Sequence, residues 1–330
     1  MQTTIGISAG DPAGIGLEVT LKALPLVLEQ CRWVLFTDKP AFDRHYVRFG
    51  KGIPCEWIAH PAEARKDQTL HLIEVPGSTC PIPWGDVQEA AGQRAIAYLR
   101  AAGDAALRRD IAGIVTAPVH KEAISPSFLG QTEFLAEQAA TKRFAMAFFT
   151  PTFKVVLATV HMSLSAALAK LSTDLYLDLI RFVSQELRRL GFPDPGIAVA
   201  GINPHAGEGG MFGREEIDIL TPAIQQCAAE GIRVSGPHSA DSLYYRAHSG
   251  EFDVVIAPYH DQGLVPVKLI AHGTSTNVTL GLPYVRTSPD HGTALSIAGK
   301  GLADPSGMVS ALRCAVDLSL RSTRRTQSGT

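Results

Sequence analysis

The sequence predicts a layered α/β protein with a parallel sheet at its centre. Three observations carry this: short β-branched runs recur along the chain, longer segments of helical character alternate with them, and several of the runs lack polar alternation. A strand that is apolar on both sides needs cover on both sides, which is the situation of a central parallel strand.

The first run is TIGIS at 4–8. It leads into SAGDPAGIGLE, where Gly10, Gly14 and Gly16 permit a tight turn before the helical segment IGLEVTLKALPLVLEQ, in which Pro25 opposes continuity. The run WVLF at 33–36 follows. PGSTCPIPWGDVQ at 76–88 reads as a connector, and VQEAAGQRAIAYLRAAGDAALRR as a helix. Next come IAGIVTA at 111–117 and the apolar region FAMAFFTPTFKVVLATV, which reads as buried strands because Pro151 and Lys154 interrupt it. In TDLYLDLIRFVSQELRRL, Leu175, Leu179, Ile180, Val183 and Leu187 approximate one apolar face, with Ser172 or Thr173 as cap. GIAVAGI at 196–202 and DVVIAPY at 253–259 are the last two strand runs. Between them REEIDILTPAIQQCAAE is helical, with Pro222 as an interruption, and Glu215 and Glu216 suit its N-terminus. The C-terminal SLRSTRRTQSGT reads as a frayed tail. The expected organisation is two discontinuous lobes, 1–125 plus 290–330 and 126–289.

Composition narrows the function. In 330 residues, 30 basic and 32 acidic side chains give a formal charge of -2, so no general attraction to nucleic acid or to an anionic membrane follows. Any anion site is local. The five cysteines are scattered, with no CxxC pair, which favours a reducing, cytoplasmic compartment. The opening MQTTIGISAGDPAGIG does not have the pattern of a signal peptide.

Three histidines share one context. KVVLATVH delivers His161, GIAVAGINPH delivers His205 and DVVIAPYH delivers His260, each at or just past a strand end, where ligands meet an open parallel sheet. Three imidazoles brought into one crevice suit Zn²⁺ or another borderline divalent ion able to polarise a substrate oxygen. Three polar residues in unrelated loops satisfy the same pattern, and the residues alone leave both readings open. Asp261 adjoins one candidate ligand, as its orienting partner or as a substrate contact. Four glycines near His205, in NPHAGEGGMFGREE, suit a pocket wall or a surface turn.

Lys268, Asn277 and Arg286 offer a point charge, an amide and a planar donor fork, a combination matched to phosphate or carboxylate if the three converge. The stretch SPDHGTALSIAGKG places Asp290, His291, Gly292 and Thr293 where either a cofactor contact or a helix cap is served. The glycine pattern at 10–16 is GxxxGxG, different from the GxGxxG dinucleotide pattern, and no Walker A loop is present in the sequence.

The ordered set GDPAGIG at 10–16, TAPVHK at 116–121, GQTEFLAE at 130–137, the His161 segment, GINPHAGEGGMFGREE at 201–216, GPHSAD at 236–241, YHDQGLVPVK at 259–268 and NVTLGLPYVRTSPDHGTA closely resembles the 4-hydroxythreonine-4-phosphate dehydrogenase family of pyridoxal phosphate biosynthesis. The resemblance implies an isocitrate/isopropylmalate-dehydrogenase-like two-lobed fold with a central cleft, and a homodimer with active sites at its interface. It implies one divalent ion (zinc, magnesium or cobalt) on His161, His205 and His260, and substrate contacts from Lys268, Asn277, Arg286 and the pair Gln131 and Thr132. Gln131 stands where the family usually has histidine, and an amide there exchanges hydrogen bonds without acting as an acid or base.

The implied reaction is oxidation of the C3 hydroxyl of 4-phosphooxy-L-threonine by NAD or NADP, then loss of CO₂ to give 3-amino-2-oxopropyl phosphate. Within it Lys268 or a metal-linked water network is the general base, Asp241 and Asp261 are polar substrate contacts, and Asp290, His291, Gly292 and Thr293 border the cofactor. Two alternatives stand beside it: a dehydrogenase of another phosphorylated hydroxy acid or of an aromatic cis-diol, and a metal-dependent hydrolase.

Overall fold

The structure, a computed structural model, describes residues 3–77 and 82–328. Cys80 and part of the 76–88 connector therefore lie outside the described residues. The described strands are β1 (Thr4–Ser8), β2 (Arg32–Thr37), β3 (Cys55–Trp57), β4 (Leu70–Glu74), β5 (Gly113–Thr116), β6 (Ala145–Phe149), β7 (Lys154–Leu157), β8 (Ile197–Ala200), β9 (Val234–His238), β10 (Val254–Ala257), β11 (Thr276–Leu280) and β12 (Val285–Pro289). Helices separate most of them, so the mixed α/β fold is as the alternation of patterns foretold.

The chain forms two compact units, Met1–Phe144 with Thr276–Leu320, and Ala145–Ser275 with Arg321–Thr330. These divide at 144/145, 275/276 and 320/321, where the sequence suggested 125/126 and 289/290. Two packings account for the shift of the first two. The helix Gln131–Gln138 buries Leu135 and Ala136 in the core of the first unit, and the late strand β12 returns to pair with β5 in parallel register, Arg286 opposite Ile114.

In the first unit the strands run in the order β3-β4-β2-β1-β5-β12-β11. Neighbours are parallel except β11 and β12, where Asn277 faces Ser288. β1 is buried at all five positions, as its unalternating apolar pattern requires. Ile5, Ile7, Trp33, Leu35 and Leu72 form the core with Tyr98 and Leu99 of the helix Glu89–Leu107 and Met308 and Leu312 of the final helix. Each such side chain contributes about 1.5–3 kcal/mol by leaving water.

In the second unit the order is β6-β7-β10-β8-β9. β7, β10 and β8 are mutually parallel neighbours, and β6 is antiparallel to β7. The helix Thr173–Arg189 is capped by Ser172, whose hydroxyl accepts from Leu175 N. Its buried stripe is Tyr176, Ile180, Val183 and Leu187, a helical repeat offset from the expected face because Tyr176 displaces Leu175 and Leu179 toward the rim.

Both interior prolines act where the sequence placed them. The first helix stops at Ala23 and Pro25 sits in a short 3₁₀ turn, while Pro222 opens the helix Thr221–Ala229 after a separate turn at Glu216–Leu220. Within the described residues the C-terminal segment, expected as a frayed tail, is helical: the last helix spans Ser306–Ser328, and residues 329–330 lie outside the described residues. No helix among the described residues is long and apolar enough to cross a membrane.

Candidate functional site

Each unit carries its own cluster of functional side chains. In the first, Arg286 lies on β12 and is only 3% exposed. Its Nη2 donates to Thr116 Oγ1 at 2.7 Å and Gln131 Oε1 at 3.4 Å, and its Nη1 to Thr279 Oγ1 at 3.1 Å and Thr132 Oγ1 at 3.3 Å. All four acceptors are neutral. The Nε hydrogen has no partner, and no carboxylate forms an ion pair with this guanidinium among the described residues. Burial pulls its pKa down to about 10, so the group keeps its charge at neutral pH in a setting that leaves the charge uncompensated. Asn277, one alternate position from Thr279 along β11 and so on the same strand face, has a buried Oδ1 without a partner. Gln131 is fixed from its other end, where Nε2 donates to Ala117 O at 3.0 Å. The result is a set of neutral hydroxyls and amides gathered around a buried guanidinium, whose positive charge suits a phosphate or carboxylate.

Gln131, Thr132 and Arg286 are therefore brought together by direct bonds, and Asn277 lies on the neighbouring strand β11 with Thr279. Lys268 belongs to the other unit, exposed on the helix His260–Ala271. The hydroxyls of Thr116 and Thr279 complete the Arg286 cluster and were missed. Their only sequence signal is position, at the end of β5 and two residues beyond Asn277.

The glycine loop and the 290–293 stretch, some 280 residues apart, pack against each other in the same unit. Ile15 N donates to Thr293 O at 3.0 Å. Gly10 takes φ +74°, and a Cβ there would lie 2.5 Å from Pro118 O, so only glycine lets the backbone pass. His120 Nδ1 lies 3.4 Å from Thr293 Oγ1. Asp11, 1% exposed, accepts from Ala13 N at 2.8 Å, and desolvation raises its pKa. His291 and Gly292 are exposed, and His291 Nδ1 donates to its neighbour's carbonyl at 3.1 Å. Asp290 is half-buried. His120 and Asp11 were not singled out from the sequence.

In the second unit the order β7-β10-β8 sets the three histidine-bearing strand ends side by side. His161 follows β7, His260 opens the helix after β10, and their ring centroids are 5.7 Å apart. Thr159 Oγ1 donates to Pro258 O at 2.7 Å and ties the two strand ends. Asp261 Oδ1 lies 2.8 Å from His260 Nδ1, which leaves Nε2 directed outward. His205 is presented differently. Five consecutive residues, His205 to Gly209, have positive φ between 43° and 82°, a left-handed turn that costs roughly 1–2 kcal/mol at each residue bearing a Cβ. The His205 ring stands 6.4 Å from that of Phe212, and its Nδ1 is 3.9 Å from Asp241 Oδ2. Among the described residues no three His, Cys, Asp or Glu side chains form a metal-holding group. Two of the expected ligands meet, and the third turns toward Asp241.

A family model described as pyridoxal phosphate biosynthetic protein PdxA matches residues 29–315. The chain belongs to the PdxA family. It is 41% identical over 318 residues to a 4-hydroxythreonine-4-phosphate dehydrogenase of Beijerinckia indica, covering 95% of this chain and 94% of the relative. It is 40% identical over 326 residues to a D-threonate 4-phosphate dehydrogenase of Cupriavidus necator, covering 96% and 97%. A crystal structure of the 4-hydroxythreonine-4-phosphate dehydrogenase of Klebsiella pneumoniae superposes with a TM-score of 0.89 at 38% identity, covering 97% of this chain and 98% of the other. In this PdxA-family chain the Arg286 cluster and the three histidines lie within the stretch that the family model spans, and the glycine loop at 10–16 precedes it.

Proposed function

We propose that the protein is an NAD- or NADP-dependent dehydrogenase that oxidises the C3 hydroxyl of 4-phosphooxy-L-threonine, and that the resulting β-keto acid loses CO₂ to give 3-amino-2-oxopropyl phosphate. The observation that carries the substrate class is the buried Arg286 guanidinium, which lacks a carboxylate and is ringed by neutral donors and acceptors. A phosphate there supplies the missing negative charge. Gln131, Thr132 and Asn277 orient it, and Lys268 is assigned the general base that takes the hydroxyl proton. Asp241 and Asp261 are assigned polar contacts to the substrate. The glycine loop joined to Asp290, His291, Gly292 and Thr293 is assigned to the nicotinamide cofactor, since a strand-to-helix turn is where a pyrophosphate is received.

A divalent ion (zinc, magnesium or cobalt) is assigned to His161, His205 and His260. The donor chemistry fits: imidazole nitrogens with a carboxylate beside Nδ1 are the usual setting of histidine ligands, seen at His260 with Asp261 and more loosely at His205 with Asp241. Bound there, the ion supplies Lewis acidity to a substrate oxygen. A homodimer is supported by apolar side chains left outside on two helices of the second unit: Leu164 and Leu168 on one, Val265 and Leu269 on the other, each pair one helical turn apart and 41–83% exposed. An isocitrate/isopropylmalate-dehydrogenase-like arrangement of the two α/β units remains part of this proposal. Free thiols on the four described cysteines suit a reducing, cytoplasmic setting.

D-threonate 4-phosphate is the second reading. It differs at C2, where a hydroxyl replaces the ammonium, and Gln131 as an uncharged amide bound to Arg286 suits either. The deciding experiment measures nicotinamide reduction with 4-phosphooxy-L-threonine, D-threonate 4-phosphate and an aromatic cis-diol, after chelator treatment and with each metal restored. The expected result is metal-dependent reduction with a preference for the first. Preference for the second reassigns the substrate, and phosphate release without reduction moves the protein to the hydrolases.

A further inference from the structure

Glu215 and Glu216 sit together at the start of a helical segment, and the structure separates their roles. Glu215 is exposed and accepts from Asn203 Nδ2 at 2.7 Å. Glu216 is 2% exposed, and its carboxylate turns back into the loop that carries His205. Its Oε1 accepts from Ile202 N at 2.7 Å and Asn203 N at 2.6 Å, and its Oε2 from Asn203 Nδ2 at 2.9 Å. The left-handed turn passes directly over it: a Cβ on Gly207 would lie 2.7 Å from Glu216 Oε2. Immediately upstream, Gly201 N donates to His238 O at 2.8 Å, and Gly201 O accepts from Gln262 Nε2 at 2.9 Å. Gln262 is two residues beyond His260 on the same helix. The three residues 201–203 are thus gripped on one side by the His260 helix and on the other by Glu216.

We propose that Glu216 is a positioning residue for the metal site: it clamps the backbone from which the left-handed turn starts and so fixes where His205 stands with respect to His260. The inference rests on the reading of His161, His205 and His260 as metal ligands. Chemistry selects glutamate for the task. Two successive backbone N–H groups and a side-chain amide converge on one buried point, which requires an acceptor with several lone pairs and no hydrogens of its own. Glutamine has the same shape but places an NH₂ against those donors, leaving at least one of them unpaired in a buried setting. Without the clamp, the turn has no reason to hold His205, Ala206 and Glu208 at positive φ, and the imidazole loses its fixed position.

The test titrates the metal-free full-length chain with Co²⁺, reading both affinity and the visible absorption of the bound ion. Glu216→Gln is expected to bind Co²⁺ about tenfold or more weakly, with a changed absorption band reporting a lost nitrogen ligand and a native far-ultraviolet circular dichroism spectrum. Asp218→Asn, in the same turn but bonded to Arg214 on the surface, is expected to match the wild type. Wild-type affinity and spectrum in Glu216→Gln, with or without a lowered melting temperature, overturn the positioning role and leave the metal reading standing. Failure of the wild-type chain itself to take up Co²⁺ removes the metal reading, and this inference with it. If Glu216→Gln does not fold, Asn203→Ser carries the test by deleting only the side-chain amide donor: weakened Co²⁺ binding supports the clamp and unchanged binding refutes it.

Discussion

At the scale of single residues, the proposed anion site at Arg286 combines burial with charge. A guanidinium 3% exposed, with three threonine hydroxyls and an amide oxygen as its acceptors, has four of its five N–H donors bonded and no carboxylate in contact. An anion that enters gains a charge-assisted hydrogen bond without competing against a resident carboxylate. Inorganic phosphate is therefore expected to raise the melting temperature of the wild-type protein by mass action. Arg286→Met is expected to abolish that rise and to increase KM for the phosphorylated substrate by about a hundredfold, on the order of 3 kcal/mol for a lost charged hydrogen-bond pair. Differential scanning fluorimetry across a phosphate series, with steady-state kinetics beside it, checks both. Arg286 and Asn277 were legible because cation and amide types recur where anions bind. Thr116 and Thr279 were not, because a hydroxyl serves equally well in any strand, and only the β5–β12–β11 pairing turns those two toward the guanidinium.

At the scale of elements, much of the architecture was readable and the exceptions have physical reasons. TIGIS became β1 without a change of boundary, because a run apolar on both faces has no other stable place. β3 and β9 carry Cys55–Trp57 and Val234–His238, short and only half-buried segments, and they offer no such pattern. The histidine context predicted three adjacent strand ends, which the order β7-β10-β8 provides, but a strand end does not specify where a loop residue points. The left-handed turn at 205–209 decides that for His205, and a glycine-rich string does not announce its handedness. Helix packing yields a sharper test at Gly92, inside the helix Glu89–Leu107, where a Cβ would sit 1.9 Å from Ala123 O. Alanine is the better helix former by about 1 kcal/mol, but overpacking against a backbone carbonyl costs about 1–3 kcal/mol. Gly92→Ala is accordingly expected to lower the melting temperature, and a rise would show that the neighbouring helix Lys121–Ile124 yields without strain.

At the scale of the whole molecule, the PdxA-family membership and the two units agree with a division of labour: one unit holds the anion cluster and the glycine-loop surface, the other the three histidines. Assembly is the matching question, and the exposed Leu164, Leu168, Val265 and Leu269 bear on it. Leu269→Glu, at an 83% exposed position, is expected to leave the fold intact and to shift the sedimentation of the proposed homodimer to that of a monomer. An unchanged dimer would place the interface elsewhere. In the proposed reaction, with the substrate phosphate on Arg286, the position of that charge also bears on turnover. A phosphate ester is untouched by oxidation at a neighbouring carbon, so whatever grips it in the reactant grips it equally in the product. Such a hold lowers the substrate concentration needed to saturate the protein and does nothing to quicken the hydride step. The same grip delays departure of the phosphorylated ketone, which makes product release a natural limit on turnover.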